Sequence, residues 1–370
     1  MAVASGFEPL EELLQGFVEA TPGYSAQLCV IQGGHTIVDI AVGDISPEQL
    51  SGVFSCSKGA AASVIALLLQ RGQLRLNAPV AEYWPEFAAA GKENVTVHEL
   101  LSHRAGLMGI DGGAPMAEYL DSSVVAQKLA NMPRMWAGNS LFAYHSLTMG
   151  VFMEELVRRV TGERLQEIYE REVRAVHELD FYLGLPAELE NRFVPVRHPL
   201  NAMPEVFVDP FGLQGVGANS VTGFLDNEGQ QTFDLFSVPN VRAIRESGFS
   251  AVGGVANARG LASLYEAFPN MIQPETLAEM TTLATSGLDV SNGEPGAFAT
   301  VFTKPRLGND FGSWRAFGHN GLNGSVGYAD PSYQLAVGYL PLHAEGVGTG
   351  SRSDQISKLL RQLILRNAST

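Results

Sequence analysis

The sequence predicts an α/β (α+β) fold: an antiparallel sheet built from both ends of the chain, helices on its faces and a mostly helical lobe inserted between. Three observations predict it. Near the N-terminus, Ser25 to Gln32 and His35 to Val42 are strand-like runs split by Gly33-Gly34, a hairpin signal. Near the C-terminus, the runs Ala297 to Thr303, Trp314 to Gly318, Gly324 to Ala329 and Gln334 to Leu340 read as further strands. Between them, from Leu76 to about Val238, helical segments alternate with long loops punctuated by Pro and Gly, and strand character is scarce. That stretch reads as an insert or second lobe.

Taken in order, Glu8 to Ala20 is a short amphipathic helix, and Thr21-Pro22-Gly23 breaks it. The glycine-linked hairpin follows. Next comes Gly59-Ala60-Ala61-Ala62-Ser63-Val64-Ile65-Ala66-Leu67-Leu68-Leu69, apolar on every side and therefore a buried helix. Val151 to Val160 alternates as an amphipathic helix, and Arg259 to Phe268 is another. The closing helix, Ser353 to Arg366, carries Ile356, Leu359, Leu360, Leu363 and Ile364 at a spacing that packs against a sheet. The chain has no internal repeat and no low-complexity segment.

Chemistry concentrates at Ser55-Cys56-Ser57-Lys58, the entrance to the buried helix. Helical residues three apart share a face, so the Ser55 hydroxyl and the Lys58 amine come within hydrogen-bond reach. Burial disfavours the charged amine and lowers its pKa until it can take a proton from Ser55 near neutral pH. The positive end of the helix dipole favours a developing alkoxide at the same place. The plainer alternative is a Ser capping a buried helix while Lys58 extends its stem to the surface.

Two further segments complete a pattern. Phe142-Ala143-Tyr144-His145-Ser146 leads into the helix at Val151 and offers a phenol, then a hydroxyl two residues on. Read on its own, Tyr144 is an aromatic residue packing under a helix N-terminus. Phe317-Gly318-His319-Asn320-Gly321-Leu322-Asn323-Gly324-Ser325 lies between two strand-like runs, with glycines that let backbone approach a ligand. On its own it is a Gly-rich hairpin turn.

With Ser-x-x-Lys, Tyr-x-Ser and His-x-Gly in this order, the chain resembles the class C β-lactamase-like serine hydrolases, and within them the family VIII carboxylesterases. Val97-His98-Glu99-Leu100-Leu101-Ser102-His103-Arg104-Ala105-Gly106-Leu107 is similar to a turn of that superfamily, as are Val255 to Ala262 and Gly327-Tyr328-Ala329-Asp330-Pro331. The resemblance covers nearly the whole chain. It implies a β-lactamase/penicillin-binding-protein-like fold in one catalytic unit, with an α/β lobe of residues 1–75 plus 240–370 and a mostly helical lobe of 76–239.

The resemblance also implies roles. Ser55 matches the acylated nucleophile, Lys58 its activating amine, and Tyr144 the general base or proton relay to the leaving group. The backbone N–H groups of Ser55 and Leu322 match the oxyanion hole, and Ser146, His319, Asn320 and Gly321 the substrate-binding positions. Class C β-lactamases have a lysine where His319 stands and an asparagine where Ser146 stands. The missing lysine suggests a substrate with no carboxylate to anchor, which favours simple esters over penicillins. The expected reaction is hydrolysis of short-chain carboxylic esters through an acyl-enzyme on Ser55, with no cofactor and no metal. Rival activities on the same site are acyl transfer, D-amino-acid peptidase or amidase action and weak β-lactam hydrolysis. From another class, the fold could serve as a non-catalytic binding or sensing module. Phe142, Trp136, Phe249 and Trp314 are candidates for the pocket lining, or else core.

At 370 residues the chain can bury a large core. A net charge of −15 and a pI near 5.0 argue against nucleic-acid and membrane partners, because no basic stretch exists to neutralise phosphates. The expected partner is a small-molecule ester, and the state of oligomerisation is open. Met1 to Pro9 lacks the regions of a signal peptide and no apolar run reaches membrane-spanning length, so a cytoplasmic location is expected. Cys29 and Cys56 suit a reducing compartment and give no disulfide framework. His98 and His103 are five apart, one too many for a zinc-protease helix, so His103 is expected to tie down a loop near the active site. No Gly-x-Ser-x-Gly elbow exists, which disfavours an α/β-hydrolase.

Overall fold

The computed structural model describes residues 2–200, 208–232, 234–346 and 348–367. Its main sheet has six strands in the spatial order Ala2–Val3, His35–Val42, Ala26–Gln32, Leu335–Pro341, Val326–Asp330 and Phe317–Asn320. Every neighbouring pair is antiparallel, so the sheet joins the first and last parts of the chain. Glycines set how closely one face is covered. A Cβ on Gly338 would meet Ala258 O at 2.2 Å, and one on Gly327 would meet the Tyr265 ring at 2.6 Å. Helix Ala258–Met271 therefore lies almost on the sheet backbone. Helices Glu8–Ala20 and Arg352–Asn367 bury their apolar stripes against the other face, where Leu10, Leu14, Ile356, Leu360, Leu363 and Ile364 form a second core.

Both expected hairpin strands and the first helix occur where the sequence puts them. Two C-terminal strand expectations need correction. The run Ala297 to Thr303 is broken, because strand Pro295–Phe298 ends in a turn with Val301 at φ 68°. That strand pairs with Thr285–Leu288 in a hairpin and reaches the main sheet only through the single bridges Phe298–Thr303 and Thr303–Gly318. Trp314 lies in a turn and is 78 % exposed, and the edge strand begins only at Phe317.

Helix Ser57–Gln70 is buried from Ser57 to Leu69, in the largest core cluster of the molecule. It packs against helices Thr148–Thr161 and Leu165–Tyr169 from residues 76–239, and against Ala258–Met271 on the sheet. Both cysteines are free and buried. Among the described residues no helix is long and apolar enough to cross a membrane.

Candidate active site

Ser55 occupies a short 3-10 turn, Phe54–Cys56, that runs straight into helix Ser57–Gln70, which puts it one turn before Lys58. Lys58 Nζ is 2.9 Å from Ser55 Oγ and donates to the Ala251 carbonyl at 3.0 Å. The lysine has no exposed surface, which rules out the snorkelling alternative. Loss of hydration lowers its pKa to about 7, with the neighbouring Cys56 acting in the opposite sense. Ala251 reaches the amine because Gly150 lacks a side chain; a Cβ there would lie 2.6 Å from Ala251 N. Phe54, immediately before Ser55, has φ 47°, a left-handed conformation that costs an aromatic residue energy. The surroundings hold it there: Ser57 Oγ donates to Phe54 O at 2.5 Å and accepts from Gly254 N at 2.8 Å.

Tyr144 stands across from this pair, with Lys58 Nζ 5.3 Å from its ring centroid. Burial holds its phenol pKa above the usual tyrosine value, with the Ser55 side chain acting in the opposite sense. Phe298 stacks on the ring at 6.0 Å and 13°, and His103 packs at 5.1 Å. His103 does tie down the loop, since its Nδ1 accepts the His145 N–H at 3.0 Å. His145 turns into the core: Nε2 accepts from Leu107 N at 3.1 Å, and the other ring nitrogen lies 2.7 Å from Ala143 O. Ser146 lies in the wall of the cavity described below.

The third segment arrives on the edge strand Phe317–Asn320. His319 is buried, with Nδ1 2.9 Å from Asn320 O and no partner for Nε2 among the described residues. Burial, and secondarily the Lys58 charge, pushes its pKa to about 3, so the ring is neutral. Asn320 is paired by side chain to Asn309 at 2.7 Å. The turn after it is fastened to the segment that leads into Ser55. Asn323 Nδ2 donates to Gly52 O at 3.2 Å, and Ser325 Oγ donates to Val53 O at 3.1 Å. Only glycine fits at 321, where a Cβ would lie 2.2 Å from Ser325 Oγ and 2.5 Å from Val53 O. The result brings the Gly321-Leu322 backbone to the same cavity as Ser55.

That cavity measures about 480 Å³, and Ser55, Tyr144, Ser146, His319, Asn320, Gly321 and Leu322 all line it. Lys58 lies behind Ser55 instead. Met108, Met116, Leu147, Val221, Val238 and Val252 give it apolar lining, and Asp289, Ser291, Glu294 and Arg306 give it polar lining. The four aromatic candidates for the lining are not in it. Phe249 and Trp136 belong to core clusters, Trp314 is exposed, and Phe142 is buried against the Gly296 backbone. The sequence also missed a cation. Arg306 lines the cavity, donates through Nε to Pro295 O at 2.7 Å, and leaves a buried Nη1 without a partner among the described residues. Arg306 thus puts a positive charge in the cavity, beside the carboxylates of Asp289 and Glu294. Neither Arg306 nor Asp289 sits in a motif; each enters from a loop or hairpin whose position depends on the tertiary fold.

The sequence matches the β-lactamase family over residues 10–350. It is 29 % identical over 358 residues to Esterase/beta-lactamase LipL of Mycobacterium tuberculosis (strain ATCC 25618 / H37Rv), covering 88 % of this chain and 79 % of that one. The fold superposes with a TM-score of 0.92 on EstA from Arthrobacter nitroguajacolicus Rue61a, at 43 % identity and covering 100 % of this chain and 99 % of the other. A family VIII carboxylesterase superposes with a TM-score of 0.85 at 26 % identity, covering 98 % and 99 %. This chain belongs to the β-lactamase family, as a β-lactamase-like serine hydrolase close to the family VIII esterases.

Proposed function

We propose that the protein is a carboxylesterase that opens short-chain esters through an acyl-enzyme on Ser55. The observation that carries the reading is the Lys58 amine, fully buried, 2.9 Å from Ser55 Oγ and with a pKa near neutrality. A neutral amine has one lone pair. With an N–H spent on the Ala251 carbonyl, the lone pair is free to accept the Ser55 proton.

In this reading Ser55 Oγ attacks the ester carbonyl as its proton passes to Lys58, and the carbonyl oxygen gains charge facing the N–H groups of Ser55 and Leu322. The carbonyl re-forms, the ester C–O bond breaks, and the leaving alkoxide takes a proton through Tyr144, resupplied from Lys58. Water repeats the sequence on the acyl-enzyme and releases the acid. Burial keeps the Tyr144 phenol protonated at neutral pH, which favours a relay over a phenolate base. The apolar lining suits an acyl chain or alcohol of modest size, and the site would form between a lobe of residues 1–75 plus 240–370 and a lobe of 76–239. Arg306 favours a second, slower activity on carboxylate-bearing β-lactams.

Mass spectrometry of the intact protein after exposure to p-nitrophenyl butyrate or an alkyl phosphonate tests the reading. A single adduct on Ser55, absent from Ser55→Ala, is the expected result. Folded protein that acquires no adduct would return the binding-module alternative to the front.

A further inference from the structure

Asp289 lies 145 positions from Tyr144 in sequence, yet its Oδ2 accepts the Tyr144 backbone N–H at 2.7 Å. The carboxylate is buried, and its other oxygen accepts Ser291 N at 2.8 Å and Ser291 Oγ at 2.5 Å, so it cannot rotate without losing three donors. Asp289 sits in the connection of the hairpin Thr285–Leu288/Pro295–Phe298, and that hairpin grips the Tyr144 segment at three more places. Val290 N donates to Phe142 O at 3.0 Å. The Phe142 ring fills the space over Gly296, where a Cβ would lie 2.5 Å away. Phe298 stacks on the Tyr144 ring. No helical hydrogen bond holds Tyr144, because the helix that follows starts only at Thr148; His103 holds its neighbours Ala143 and His145, and the bond to the Tyr144 amide itself comes from Asp289.

We propose that Asp289 is a positioning residue for the reaction: through its bond to the Tyr144 amide, the hairpin sets the phenol where the leaving group needs a proton. The inference rests on the relay reading of Tyr144. Misplacing the phenol withholds that proton, and the loss depends on how badly the leaving group needs it. A p-nitrophenolate departs unprotonated, whereas an ethoxide does not. General acid catalysis supplies about 10²–10⁴-fold where it is needed. A merely structural defect lowers both rates alike.

The experiment compares ethyl butyrate with p-nitrophenyl butyrate in wild type, Asp289→Ala, Asp289→Asn, Ser291→Ala and Tyr144→Phe, and follows exchange of the Tyr144 amide in protein labelled with [15N]tyrosine. Expected for Asp289→Ala is a fall in kcat/KM, which reports acylation and so the leaving group, at least about tenfold larger for the ethyl ester than for the aryl ester. Asp289→Asn keeps one acceptor oxygen and falls between. Ser291→Ala, which only loosens the carboxylate, keeps the test available should Asp289→Ala not fold. Exchange of the Tyr144 amide accelerates at least about tenfold in the Asp289 variants while other tyrosines hold. If Tyr144→Phe discriminates between the esters and the folded Asp289 and Ser291 variants do not, the inference is overturned and the relay stands. If the amide loosens but Tyr144→Phe treats both esters alike, the relay reading falls and the positioning contact survives.

Discussion

The carbonyl oxygen of Ala251 and the hydroxyl oxygen of Ser55 lie 3.0 and 2.9 Å from the same nitrogen, Lys58 Nζ. Neither is a carboxylate, so these two contacts offer the lysine dipoles rather than a counter-charge. Its neutral form is thereby favoured at a place where that form is useful.

A pH profile follows from this. Acylation requires the neutral amine, so kcat/KM for a neutral ester should rise tenfold per pH unit below about 7 and level off above it. The Tyr144 phenol, held protonated by burial, should not limit the rate below the ordinary tyrosine range. A profile flat from pH 5 to 9 would contradict the role given to Lys58.

The same burial has a cost in stability. Folding lowers the Lys58 pKa from 10.5 to about 7, so between these values the unfolded chain binds a proton that the folded protein does not. The penalty is complete below pH 7, shrinks as pH rises and is gone above 10.5. Each tenfold loss of proton affinity on folding corresponds to about 1.4 kcal/mol. Lys58→Met should therefore abolish turnover while raising stability by a few kcal/mol at pH 6, and by less at pH 9. Differential scanning calorimetry at the two pH values reads the difference directly.

Gly150→Ala would force a methyl group to within 2.6 Å of the Ala251 backbone. Backbone must yield, at about 1–3 kcal/mol. Because the displaced residue is the one that carries the acceptor for Lys58, kcat should fall about tenfold or more even in the folded variant. Stability measured by urea unfolding and turnover measured on the same sample should both decline. Normal turnover would mean that the Ala251 contact is dispensable.

Arg306 brings a cation to a cavity that Asp289 and Glu294 also line, and its Nη1 has no partner among the described residues. Between two p-nitrophenyl esters of equal length, one ending in a methyl group and the other in a carboxylate, Arg306→Gln should lower the relative kcat/KM of the anionic one about tenfold. Arg306→Lys should restore part of it. An unchanged ratio would place the guanidinium out of reach of the acyl chain.

Legibility in the sequence tracked the range of the interaction. Helix Glu8–Ala20 and the hairpin to Val42 follow local periodicity, with breakers at each end. The Ser55–Lys58 contact is equally local, one helical turn. Strand Pro295–Phe298 could not be placed so easily, because the apolar run continues past it to Phe302 and only the left-handed Val301 marks the turn. Asp289 and Arg306 were invisible for a related reason. Each is one charged residue among many until folding brings it to the cavity, and no spacing announces it. The aromatic candidates failed in the converse way, since large rings fill cores as readily as pockets, and here Phe142 and Phe249 are core.

Residues 57–69 of helix Ser57–Gln70 lie beneath the surface along their whole length, and the helix is held on several sides by elements from both parts of the chain. No fraying of a terminus or opening of a surface loop can release the Lys58 amine without dissolving the largest core of the molecule. Thermal inactivation and global unfolding should then be one event with one rate, and the half-life of activity in a heated sample becomes a direct reading of the unfolding barrier.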